Sequence, residues 1–234
     1  SGIECLSAIP GTVGAAPVQN IGAYGQEVSS VITYVDAYDA KNDTFTRLQN
    51  AECEFSYRHS IFRGREQGRY IITAVTVRLR TVLPQPPFYK AIEAYLHEHS
   101  IANPSVRQLR DAVVAIRADK LPNPRAMPNT GSFFKNAIIP HETYEHIAAD
   151  YPNMPHYDLP DGNVKIPTGW LIEQSGLKGV LYRGMRVYDK NALVLVNESA
   201  RSYDDLAAAR QHIIDTVQAK FDIIIQQEPL EISY

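Results

Sequence analysis

Three short stretches concentrate the groups able to do chemistry. Residues 9–25, IPGTVGAAPVQNIGAYG, are dense in glycine, alanine and proline. Such a run makes a poor helix or strand, but it lets backbone N–H groups approach a ligand closely. It is neither a G-x-G-x-x-G turn after a strand nor a G-x-x-x-x-G-K-[ST] loop. A plain loop is one reading; the length of the small-residue run favours a backbone cradle for a phosphate or cofactor. Residues 57–63, YRHSIFR, gather cationic, aromatic and hydroxyl groups, and taken alone also read as a solvated turn. Residues 129–136, NTGSFFKN, set Ser132 after a glycine and before two aromatics. That serine is either a reactive hydroxyl or a helix cap, and without a G-x-S-x-G elbow it is not an acyl-transfer nucleophile. The seven histidines lack the H-E-x-x-H or H-x-x-x-H spacing of a zinc site, so no metal is expected.

The elements that must position these groups are readable from periodicity. Residues 31–38 form a β-branched and aromatic strand, 41–43 a turn and 44–48 a return strand. Residues 70–81 read as a further strand, with Val75, Val77 and Leu79 on a buried face and Thr76, Arg78 and Arg80 opposite. Prolines at 84, 86 and 87 break the chain, and 88–99 is helical or loop-like. The segment 105–120 is a helix opened by a Ser105–Gln108 capping box. A second proline-rich break, 121–124, is a candidate domain boundary. Helices at 142–150, 168–175 and 202–221 follow, with strands at 193–197 and 223–225. Strands first, then mixed elements, indicate an α+β protein of two lobes.

With 234 residues and 26.2 kDa the chain can bury about 70% of its unfolded surface and needs no staple to fold. A net charge of −3 argues against nucleic acid or an anionic membrane surface as partner. Two cysteines cannot build a disulfide framework, and a reducing cytoplasm is the preferred compartment. No apolar run is long enough to span a bilayer, so no membrane insertion is expected. The chain opens on Ser1 without an initiator Met, as a piece of a longer protein would.

In their order along the chain, residues 9–25, 57–63 and 129–136 together resemble the UDP-N-acetylenolpyruvoylglucosamine reductases. These are flavoenzymes of bacterial peptidoglycan precursor synthesis. The resemblance continues through KLPNP at 120–124, GWLIEQ at 169–174 and LKG at 177–179, and covers essentially the whole chain. It implies the remainder of a two-lobed FAD-binding domain followed by an α+β substrate-binding domain. The implied boundaries are 1–121 for the second flavin lobe with a mobile tyrosine-bearing loop, 122–222 for the substrate domain, and 223–234 for a closing strand. An N-terminal flavin lobe of the family has no counterpart here, so the missing segment of the same protein is an expected partner and this piece alone is expected to be weak or inactive.

The resemblance implies that NADPH reduces FAD, and that hydride then reaches C3 of UDP-N-acetylglucosamine enolpyruvate while C2 takes a proton. By the same resemblance Arg58 polarises the substrate carboxylate and Ser132 supplies the proton. Glu228 is the second acid, with Glu231 as its competitor because Pro229 follows rather than precedes Glu228. Flavin contacts fall on Gly11, Gly14, Ala15, Ala16, Gln19, Asn20, Gly22 and Tyr24. Nucleotide-sugar contacts fall on Tyr57, Tyr89, Arg117, Lys120, Asn136 and Gln174. The implied location is the bacterial cytoplasm. The rival readings are an FAD oxidase of the same fold and a non-catalytic nucleotide-sugar-binding fragment.

Overall fold

The structure, a computed structural model, describes residues 1–231. The chain divides between Asp119 and Lys120 into two compact units, two residues before the expected break.

In the first unit, β1 (Gly22–Ala23) and β2 (Gln26–Glu27) pair across a two-residue turn. Tyr24 and Gly25 both take left-handed backbone there, φ 49° and 83°, which suits the twist of a tight hairpin. Three longer strands follow: β3 (Ile32–Asp39), β4 (Thr44–Gln49) and β5 (Tyr70–Val77). They form an antiparallel sheet with β3 in the centre. Val35, Ala37 and Asp39 of β3 alternate onto a buried face. Leu48, Cys53, Ile61 and Phe62 join that core. Helices α1 (Lys90–Glu98) and α2 (Val106–Lys120) build a separate small core from Ile92, Leu96, Leu109, Val113 and Ile116. The expected capping box opens α2: the Gln108 amide donates to the Ser105 hydroxyl, and the Ser105 amide to the Gln108 carboxamide.

One expectation fails on β5. The strand ends at Val77, and the amides of Arg78 and Arg80 donate to Val31 and Ser1 carbonyls outside the β5 ladder. Val77 and Leu79 are 38% and 47% exposed rather than buried. The alternation is present, but its apolar face borders an open cleft instead of a core.

The second unit holds β6 (Ala137–Pro140), α3 (His141–Asp150), β7 (Tyr157–Asp158), β8 (Asn163–Ile166) and α4 (Thr168–Gln174). It continues with β9 (Leu181–Tyr182), β10 (Met185–Val187), β11 (Leu195–Asn197) and α5 (Tyr203–Phe221). Two three-stranded antiparallel sheets, with β8 and β10 central, share one core with α4 and α5. Antiparallel sheets beside helices make the chain α+β.

The expected strand at 223–225 is corrected. Ile223 and Ile225 are buried and Ile224 exposed, as in a strand. However, these residues pair with no ladder, and a single bridge forms later, between Gln227 and Phe134. There the Lys135 amide donates to the Gln226 carbonyl and the Glu228 amide to the Phe133 carbonyl. The end of that expected strand, 232–234, lies outside the described residues. Likewise the strand expected from Leu193 begins as a ladder only at Leu195, and Val194 instead bridges Ser132.

Candidate active site

Two of the three chemical stretches meet inside the first unit. Four near-consecutive residues of the glycine-rich run are sewn to residues 56–63. The Ser60 hydroxyl donates to the Val18 carbonyl at 2.7 Å, and Arg63 donates to the Gln19 side chain at 2.9 Å. The Asn20 carboxamide donates to the Ser56 carbonyl at 3.0 Å, and Arg58 donates to the Gly22 carbonyl at 2.6 Å. Ser60 and Asn20 are fully buried, where an unpaired polar group would cost roughly 1–3 kcal/mol; both are paired. Residues 57–63 are therefore a built turn and not a solvated one. Its tip is Tyr57–Arg58, closed by mutual backbone bonds between Ser56 and His59. Arg58 adopts φ 53°, and its guanidinium lies 5.0 Å from the Tyr57 ring centre. A non-glycine residue held there costs on the order of 1–3 kcal/mol, the kind of strain found at functional positions.

The residues expected at the flavin divide between two recesses of this unit. Gly11, Ala15, Ala16 and Gln19 border a cleft of about 810 Å³, walled also by Val77 and Leu79. Its surface is mostly apolar, with Val13 70% exposed. That fits one wall for a flat aromatic ring system. The Ala15 and Ala16 amides already donate to Thr12 and Val13 carbonyls at 3.1 and 3.2 Å, which turns both toward their own chain. Asn20 faces the protein: it donates to Glu27 and Ser56 and accepts from the Ser29 amide. Gly14 lies against the Ile72 carbonyl of β5.

Tyr24 belongs to the second recess, about 870 Å³, together with Tyr89. The two rings meet edge to face at 5.5 Å. Arg117 of α2 has a buried Nε with no hydrogen-bond partner among the described residues. Burial lowers its basicity, and Tyr24 opposes that shift. Burial raises the Tyr24 phenol in turn, against the pull of Arg117. Lys120 ends α2 and is exposed. Cys5 and Cys53 are buried, their thiols pushed up to about 11, which makes them core residues rather than nucleophiles.

In the second unit Ser132 caps no helix. It bridges Val194, and the next element after it is β6. The Glu228 amide donates to the carbonyl of Phe133, so the backbones of Ser132 and Glu228 lie one residue apart across the same pairing. Glu231 is committed elsewhere. It accepts from Arg210 and from Gln227, and hydrogen bonds from Tyr203 first and Gln227 next hold its carboxyl below the usual range.

Asn136 and Gln174 stand at opposite ends of α4, about 9 Å apart along its axis at 1.5 Å per residue. The Asn136 side chain accepts the Thr168 amide at 3.2 Å, capping the helix, and Lys220 donates to the Gln174 carbonyl. Two buried or structural groups escaped the sequence reading. Thr168, fully buried, bonds Lys135 and Ala137 and fixes the approach to β6. Glu27 stands opposite Gly22 in the hairpin. The adjacent Tyr24-Gly25 pair is the signal by which that hairpin could have been found; no local signal marks Thr168. Among the described residues no group of three or more His, Cys, Asp or Glu could hold a metal ion. Likewise no described helix is long and apolar enough to cross a membrane.

A crystal structure of UDP-N-acetylenolpyruvylglucosamine reductase from Thermus caldophilus matches 97% of this chain and 63% of its own, with a TM-score of 0.61 at 20% identity. The chain thus has the two-unit α+β fold represented by that reductase. The model of the UDP-N-acetylenolpyruvoylglucosamine reductase C-terminal domain matches residues 123–232. The reductase of Neisseria meningitidis serogroup B is 46% identical over 230 residues, 98% of this chain and 66% of that protein. The reductase of Ralstonia nicotianae is 42% identical over 231 residues, 99% of this chain and 68% of that protein. This chain belongs to the UDP-N-acetylenolpyruvoylglucosamine reductase family. It spans just under two thirds of the length of the Neisseria relative.

Proposed function

We propose that this chain is the larger part of an enzyme that reduces UDP-N-acetylglucosamine enolpyruvate to UDP-N-acetylmuramate in the bacterial cytoplasm. The observation that supports the proposal is the backbone pairing of the segment that follows Ser132 with the strap that carries Glu228, together with a strained arginine turn sewn to a glycine-rich loop. A bound flavin, reduced by NADPH, would supply hydride to C3 of the enolpyruvyl ether. The apolar cleft beside Gly11 and Ala15 fits one wall of its site, and the remaining wall is proposed to come from the part of the protein beyond the span matched here.

The chain's own residues then have separable tasks. Arg58 grips the substrate carboxylate through its planar fork and accepts charge that builds up there during reaction. Ser132 donates the proton to C2. A hydroxyl is a weak acid, so it needs a neighbour that relays a proton or stabilises the alkoxide, and Glu228 is the residue proposed for this task. Lys120, Arg117, Asn136, Gln174, Tyr57 and Tyr89 hold the sugar and diphosphate. The spread of Asn136 and Gln174 along α4 suits an elongated ligand.

The test is an assay of the full-length protein with NADPH and the enolpyruvyl nucleotide sugar. Substrate-dependent NADPH consumption is expected, with little hydrogen peroxide. Peroxide formation without turnover of the nucleotide sugar would point instead to an oxidase.

A further inference from the structure

The Arg58 guanidinium has a seat at Gly22, outside its own turn. Its Nη2 donates to the Gly22 carbonyl at 2.6 Å. A β-carbon added to Gly22 would stand 2.8 Å from Arg58 Nη1, 2.9 Å from the Gln26 carbonyl and 3.0 Å from Cγ of Glu27. Gly22 keeps a negative φ and is not needed for a left-handed turn. Its bare face is instead filled by the guanidinium on one side and by the Glu27 stem on the other. Glu27 is held in turn: the fully buried Asn20 donates to its Oε2 at 2.9 Å. The same Asn20 amide donates to Ser56 at the base of the arginine turn, and its carbonyl accepts the Ser29 amide. One buried carboxamide therefore holds both the base of the turn that carries Arg58 and the Glu27 side chain that packs beside Gly22.

We propose that Gly22, Asn20 and Glu27 are positioning residues that set the direction of the Arg58 guanidinium. The proposal rests on the role given to Arg58 above. A guanidinium at the end of four rotatable bonds has many orientations, and a charge that must face one carboxylate works only when few are populated. The strained φ at Arg58 aims the side chain and the seat stops its rotation. The glycine-rich loop thus serves the arginine through Gly22 and Asn20 as well as any cofactor along its outer wall.

The experiment uses the full-length protein with two readouts. The first needs no activity: ¹⁵N side-chain NMR of the Arg58 guanidinium, assigned by the loss of its signals in Arg58→Lys. Resolved, slowly rotating Nη signals are expected in the parent and in Glu27→Gln, which keeps an acceptor for Asn20. Averaged signals are expected in Glu27→Ala and Gly22→Ala. Glu27→Ala leaves the backbone untouched, so it answers even if Gly22→Ala folds poorly. Identical averaging in parent and Glu27→Ala would overturn the seat whatever the enzyme does. The second readout is a mutant cycle on the half-reaction with the enolpyruvyl substrate. Glu27→Ala should slow it about tenfold or more with KM nearly unchanged, Glu27→Gln should recover most of the rate, and neither change should matter once Arg58→Ala is present. Losses that multiply with that of Arg58→Ala would show that Glu27 supports the fold and not the arginine. A parent without reductase activity would reject the proposed function and leave the NMR result to decide the seat.

Discussion

Ser132 is held by its neighbours' backbones, with Val194 on one side and the strap through Glu228 on the other. Its hydroxyl can therefore be removed without removing a helix cap. Ser132→Ala is expected to leave flavin reduction by NADPH intact and to slow reoxidation by the enolpyruvyl substrate by roughly 10²-fold or more, the scale of a lost general acid. Ser132→Cys should recover part of that rate, because a thiol is the stronger acid. Stopped-flow absorbance separates the two steps, and wild-type reoxidation in Ser132→Ala would remove the serine from the chemistry. The two glutamates make a paired forecast. Glu228→Gln should slow the same step, whereas Glu231→Gln should leave it unchanged, since Glu231 is engaged by Arg210 and Gln227. At this scale residue types and their order in the chain, through the family resemblance, singled out Arg58 and Ser132 as candidates. They could not find Glu27 or Thr168, whose importance lies in what they touch across a hairpin or between segments far apart in the chain.

The buried face of β3 ends in a carboxylate. Asp39 is 3% exposed, yet Arg69 bonds both its oxygens at 2.9 and 2.7 Å, and the Lys41 and Asn42 amides add two more contacts. The Arg69 hydrogen bonds lead in holding its pKa at about 2 against an ordinary 3.8. A depressed carboxyl contributes stability that is present above the unfolded value and lost as pH falls through the folded one. Urea melts should therefore lose the Asp39 contribution between about pH 4 and pH 2 in the parent. Asp39→Asn should be less stable at pH 7 and less pH-dependent in that window; parallel pH profiles for the two would contradict this. On α5, Ser202 accepts the Asp205 amide at 3.2 Å, and Ser202→Ala should cost about 1 kcal/mol by the same melts. The Ser105–Gln108 cap of α2 was legible in the sequence because a cap is a local exchange over three residues. The face of β5 was not, because whether an apolar alternation is covered depends on elements far away in the chain.

Each unit has its own apolar cores, and the joint carries Leu121-Pro122-Asn123-Pro124, a stretch that can be neither helix nor ladder. Limited trypsin digestion of the 234-residue chain should cut first at Lys120 or Arg125 and leave two pieces of similar size, each resistant to further cleavage. First cuts inside either unit, read by mass spectrometry, would show that the cores do not fold as separate cooperative bodies.

The strap through Gln226–Glu228 has a consequence for how the protein is made. Phe133 and Phe134, almost wholly buried when folded, have one backbone neighbour about sixty residues later and the other more than ninety residues later. At a synthesis rate of 5–20 residues per second, these two rings wait roughly 5 to 20 s before their last cover leaves the ribosome. During that interval the segment around Ser132 is an adhesive stretch on a nascent chain. Ribosome-bound chains stalled before Gln226 should bind a chaperone through residues 129–136 and release it once Glu228 has emerged.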